Sequence, residues 1–175
     1  MDKVQMSMGD MLSRLIRFKE LKVSAQAFVD TRIPEYERDI YNVIGRGVTE
    51  DADLTPAITD ARDFNLTYIG AEPGKGAALH DHPSVEVFIP MSGKWAIYWG
   101  DEGEEQVVLE PWDVISVPPG VMRGFRNESD GHAYLMAILG GTDAGKVTWA
   151  KKVLKRAAET GLTLDAAGNL VEAID

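Results

Sequence analysis

The sequence contains three histidines, and two of them, His80 and His82, stand two residues apart. Glu86 follows four residues later, beyond Pro83. In a β-strand, residues i and i+2 face the same side, so His80 and His82 project into one space. Glu86 falls in the next strand-like run and shares its face with Phe88, while Val85, Val87 and Ile89 take the other face. Two imidazoles and a carboxylate converging in a barrel mouth suit Fe(II), Mn(II), Zn(II), Ni(II) or Cu(II), and leave coordination positions free for water, dioxygen or substrate. The competing reading is a pair of solvent-exposed strand histidines beside an unrelated glutamate. The glycines that flank the segment, Gly74 and Gly93, favour the ligand reading. The chain has no cysteine, which removes disulfides, thiol nucleophiles and thiolate metal sites. A transition metal here must be held by histidine and carboxylate.

The elements around this segment read as β-structure. Short runs rich in β-branched and aromatic residues follow one another, divided by Gly, Pro and Asp: 64–71, 78–82, 85–89, 94–99, 106–109, 114–117, 121–126 and 133–139. Many short strands at close spacing signal an all-β sandwich or barrel, since α/β units need helices between strands. Upstream, the spacing of Met11, Leu12, Leu15 and Ile16 predicts a short helix, and residues 26–29 and 39–44 read as strands. Downstream, Thr148 is the expected N-cap of a helix with the apolar stripe Trp149, Val153, Leu154, Ala157 and Ala158, and Gly161 is its expected C-cap. The tail 162–171 reads as two short strands around a turn. The expected division is an N-terminal extension over 1–63 that packs on the barrel, a barrel core over 64–140, and a C-terminal helix and arm over 141–175, all one domain.

The length of 175 residues suits one domain with a core of its own. The formal net charge of −10 repels phosphate backbones and anionic lipid surfaces. Nucleic acid and membrane are therefore not expected partners; a small-molecule substrate or ligand is. Residues 1–11 carry Asp2 and Asp10 and lack the apolar centre of a signal peptide, so the expected location is cytoplasmic.

The segment Gly74–Gly93 resembles the first motif of the cupin superfamily: Gly, five residues, His-x-His, three or four residues, Glu, six residues, Gly. Gly74, His80, His82, Glu86 and Gly93 meet every fixed position. The second motif is Gly, five residues, Pro-x-Gly, two residues, His, three residues, Asn. Pro118, Gly120 and Asn127 match it, Trp112 replaces the leading Gly, and Arg123 replaces the His that is the usual fourth metal ligand. The resemblance covers residues 64–140. It implies a double-stranded β-helix (jelly-roll) barrel with short helical extensions, a divalent metal on His80, His82 and Glu86 (iron first, with manganese, nickel or zinc as alternatives), and commonly a homodimer. It also implies a small-molecule enzyme of dioxygenase-like or isomerase/lyase type acting on an anionic or aromatic metabolite. The alternative is a cupin that binds a small ligand or metal without turnover.

Arg123 carries a permanent charge and has no lone pair for a metal. Three roles are open to it: clamping a substrate carboxylate beside a three-ligand metal, ion-pairing with Glu86 in a metal-free pocket, or lying swung away at the rim. Phe88 and Phe125 share faces with Glu86 and Arg123, and either line the pocket or pack in the core. His132, after the turn 127–131, reads as an exposed edge histidine.

Overall fold

The computed structural model describes residues 3–173; Asp2, used above in reading the N-terminus, lies outside them. The eight runs from Phe64 onward form strands within one or two residues of their expected bounds: β2 (Phe64–Ala71), β3 (Gly76–Asp81), β4 (Glu86–Pro90), β5 (Trp95–Trp99), β6 (Glu105–Leu109), β7 (Ile115–Val117), β8 (Arg123–Asn127) and β9 (Ala133–Gly140). They are preceded by β1 (Asp39–Ile44) and followed by the two-residue β10 (Thr148–Trp149). One five-stranded sheet has the order β1-β2-β9-β4-β7 and the other β10-β3-β8-β5-β6. All their pairings are antiparallel. Segments on either side of the barrel core thus each add an edge strand. No helix among the described residues is long and apolar enough to cross a membrane.

The inner faces meet in one cluster that draws Ile69, Phe88 and Leu135 from the first sheet and Ala77, Trp95, Ile97 and Phe125 from the second. Strand alternation produces it: along β9 buried and half-buried residues alternate without a break. Trp95 and Phe88 are fully buried, and burial of each contributes on the order of 2–3 kcal/mol. Gly93 ends the first motif with φ +66°, and a Cβ there would stand 2.2 Å from Ser129 Oγ, which accounts for glycine at that turn. Trp112 keeps the backbone of the glycine it replaces, at φ +75°, with its side chain in solvent.

Three local expectations are corrected. Residues 26–29 do not form a strand. Their backbone is satisfied by the segment after β1, where Glu50 N–H donates to Ala27 O (3.0 Å) and Val29 N–H donates to Glu50 Oε2 (2.7 Å). Thr148 is not a helix cap, because Thr148 and Trp149 pair with Asp81 and His80 as β10. The helix α2 (Lys151–Glu159) begins after them, with Ala150 at its N-cap. The N-terminal helix α1 (Met8–Leu12) stops before Leu15; none of its residues is buried, so only the Ser7–Asp10 capping box supports it. Gly161 follows α2 at φ +81°, and the tail forms the hairpin of β11 (Leu162–Leu164) and β12 (Leu170–Glu172).

Glu50 joins these peripheral pieces to the barrel. Its Oε1 accepts from Trp149 Nε1–H (2.7 Å), and its backbone carbonyl accepts from Leu170 N–H (3.1 Å). Burial pushes its carboxyl up to about 7, against the pull of those hydrogen bonds. The native state therefore holds this proton more tightly than the unfolded chain does. The associated stability is complete below the ordinary carboxylate range and is lost as pH rises through about 7. Across that interval wild type is expected to lose on the order of 3 kcal/mol more stability than Glu50→Gln, read by urea unfolding at a series of pH values.

Candidate metal centre

His80 lies near the end of β3 in one sheet, and Glu86 opens β4 in the other. His82 sits in the short turn between them, so the two sheets contribute facing ligands. The turn that contains Pro118 holds this corner in place: Gly120 N–H donates to His82 O (3.2 Å). His80, His82 and Glu86 are all buried, and a donor atom from each lies within 4.8 Å of the others. Among the described residues they form the one group of this kind that can hold a metal ion.

Both imidazoles are held in one tautomer. His80 Nδ1–H donates to Ala78 O (2.7 Å). Ser84 Oγ–H donates to Ala144 O (2.8 Å), so the same oxygen accepts from His82 Nδ1–H (2.9 Å). Each ring thus keeps its lone pair on Nε2, the state a metal requires, with the other nitrogen anchored as in metal-bound histidines. Burial, then the charge of Arg123, pushes His80 down to about 3, so the ring is neutral. Burial alone would raise the Glu86 carboxyl; the charge of Arg123, whose Nε–H it accepts, outweighs this and holds the group below its ordinary value, ionised.

Arg123 points inward and pairs with Glu86 rather than swinging away to the rim. It lies opposite His80 across the β3–β8 ladder and is fully buried. Its Nε–H donates to Glu86 Oε2 (3.1 Å), its Nη2–H to His82 Nε2, and its Nη1–H to Val121 O (3.0 Å). The His82 and Glu86 acceptors, 3.2 Å apart, are bridged by one edge of the guanidinium. In donor type and protonation the cluster fits a divalent ion, but two of its three donors are occupied by Arg123. A fixed positive charge and a divalent ion repel strongly at such distances, so an ion must displace that edge.

A cavity of about 30 Å³ adjoins the cluster, lined by His80, Glu86, Phe125, Trp149 and Arg38 among others. Phe125 faces it. Phe88 packs against Phe125 at 5.5 Å between ring centroids and stays in the core outside the lining. His132 is exposed and packs edge-on to Tyr134, away from the cluster. Three contributors were not foreseen from sequence. Ser84 had no visible motif. Arg38 lies in a segment without a pattern. Trp149, whose ring lies 5.2 Å from His80, was assigned to a helix stripe.

Residues 68–139 match the family model described as a cupin domain. No curated protein matches the chain. Among solved structures, a cupin 2 domain-containing protein from Halorhodospira halophila is 19% identical with a TM-score of 0.52, covering 69% of this chain and 76% of that one. The polyketide cyclase RemF from Streptomyces resistomycificus is 14% identical with a TM-score of 0.53, covering 74% and 79%. A DMSP lyase structure is 13% identical with a TM-score of 0.51; it covers 65% of this chain, which spans about half of that protein (53%). Identities this low show a shared fold and leave activity to the site itself.

Proposed function

Because the chain belongs to the cupin superfamily, we propose that it is a small-molecule enzyme in which His80 Nε2, His82 Nε2 and the Glu86 carboxylate hold a divalent metal, iron foremost, with manganese, nickel or zinc as alternatives. One observation carries the reading: both histidines are locked with their lone pairs on Nε2 beside an ionised carboxylate. A purely structural Arg–Glu pair needs neither lock. When bound, such an ion supplies Lewis acidity and, for a redox metal, dioxygen chemistry.

The protein's own residues do the rest. Glu86 and His82, taken up as ligands, release Arg123 Nε–H and Nη2–H, which then serve as a bidentate clamp for a substrate carboxylate or enolate. Phe125 and Trp149 give the cavity an aromatic wall. The substrate class that follows is a small anionic or aromatic metabolite, and the reaction is of dioxygenase-like or isomerase/lyase type. A cytoplasmic homodimer belongs to the same proposal, and the acidic charge supports its lack of nucleic-acid or membrane partners.

A second reading, a non-catalytic pocket without metal, is favoured by one observation: Arg123 already neutralises Glu86. Titrating cobalt(II) into metal-stripped protein separates the two. The expected result is a saturable visible absorption at one ion per chain, with affinity lowered about tenfold or more in Ser84→Ala, where the His82 tautomer is freed. No uptake removes the metal reading and leaves the second.

A further inference from the structure

Arg38, from the segment before β1, lines the same cavity as His80 and Glu86. Its side chain is 2% exposed. Nη1 is fully engaged, facing Asp30 Oδ2 (3.0 Å), Tyr36 O (2.8 Å) and Gly76 O (3.0 Å). Asp30 in turn accepts from Ala78 N–H (2.9 Å), two residues before His80, so the Arg38–Asp30 pair is fastened to β3. The guanidinium lies 4.9 Å from the centre of the Phe28 ring, and Phe28 lines the cavity as well.

Two buried groups in this assembly have no hydrogen-bond partner among the described residues: Asp30 Oδ1, which lies 2.9 Å from Arg38 Nη1, and the Nε–H of Arg38. Leaving such a donor unpaired costs about 1–3 kcal/mol, and proteins satisfy nearly all such groups. Anchoring the N-terminal segment requires only Nη1 and Asp30; Nε–H adds nothing to it. The cavity supplies room for the missing acceptor. About 10–15 Å³ admits one water-sized atom, so 30 Å³ leaves room for about two such atoms, as many as the oxygens of a carboxylate.

We infer that this cavity binds the carboxylate of a small anionic ligand, with Arg38 Nε–H donating to one of its oxygens. The inference deepens the proposed function and rests on its anionic-substrate reading, with recognition supplied by the N-terminal segment as well as by the barrel strands. Asp30 balances Arg38, and Glu86 balances Arg123. The metal-free cavity is thus close to neutral, and a divalent ion at His80, His82 and Glu86 strengthens carboxylate binding by adding positive charge.

The test follows the Arg38 Nε–H signal in ¹⁵N-labelled protein, identified by its loss in Arg38→Lys, while formate is titrated into metal-free and zinc-treated samples. Lysine keeps a cation for Asp30 but has no Nε–H. The expected result is a saturable shift of that signal, and formate affinity at least about tenfold weaker in Arg38→Lys with the fold unchanged, as loss of a charge-assisted hydrogen bond requires. A signal unmoved by formate in both samples, or unchanged formate affinity in folded Arg38→Lys, overturns the inference. If zinc fails to bind while the signal still follows formate, the metal reading falls and the carboxylate site stands. If zinc binds and the signal stays still, the carboxylate site falls alone.

Discussion

Arg123→Met is expected to destabilise the metal-free protein by about 3–5 kcal/mol in urea unfolding, the usual cost of leaving one half of a buried ion pair unpartnered. The magnitude follows from where the charge is left. Glu86 and Arg123 are both buried, and the carboxylate's other near neighbours are the imidazoles of His80, which burial keeps neutral, and His82. Methionine fills much of the arginine's volume, so the loss reports the charge and hydrogen bonds rather than a cavity. Two further measurements identify the cause. Glu86→Gln combined with Arg123→Met is expected to cost well under the sum of the two single losses, because the double variant buries no unpaired charge. Zinc is expected to restore most of the loss in Arg123→Met, since an ion at Glu86 takes over the guanidinium's role; saturation a hundredfold above Kd contributes about 2.7 kcal/mol. Equal losses with and without Glu86 would show that the ion pair contributes nothing.

Arg123→His is expected to raise metal affinity at least about a hundredfold, read by competition with a chelator. Two effects act in the same direction. The substitution removes a positive charge that repels a divalent ion by several kcal/mol at about 4 Å and an effective dielectric near 20; even 3 kcal/mol of relief is about a hundredfold. It also places a third imidazole, as a fourth ligand, opposite His80 in the β3–β8 register. Unchanged affinity would mean that Arg123 does not govern entry of the ion.

The parts of the fold legible in the sequence were the short runs rich in β-branched and aromatic residues and divided by Gly, Pro and Asp. The run 133–139 alternates buried and half-buried positions throughout, whereas in 64–71 the alternation ends at Ile69 and the last three residues are all buried; in both, richness in β-branched and aromatic residues carries the signal. The triad was legible because His80, His82 and Glu86 are close in sequence and match the first motif, although the expected strand pair is only half present: His80 stands in β3, and His82 lies in the turn beyond it. Arg123 was legible as a departure from the motif but not as a partner. Its contacts depend on the pairing of β8 with β3 and on the packing of one sheet over the other, and no local pattern encodes these. Trp149 and Arg38 show the same limit. Trp149 fits an apolar helical stripe as well as a strand, and pairing with His80 decides for the strand. Arg38 carries no local signal, and its role depends on Asp30, Phe28 and Gly76 being brought around it.

The central claim is that His80, His82 and Glu86 hold a divalent ion. Elemental analysis tests it most directly, on protein purified without added metal and again after soaking with manganese, iron, cobalt, nickel or zinc and desalting, beside a His80→Ala/His82→Ala double variant. The expected result is close to one ion per chain in wild type and none in the double variant. No metal in either protein, before or after soaking, contradicts the account and leaves Arg123 as the permanent occupant of the site.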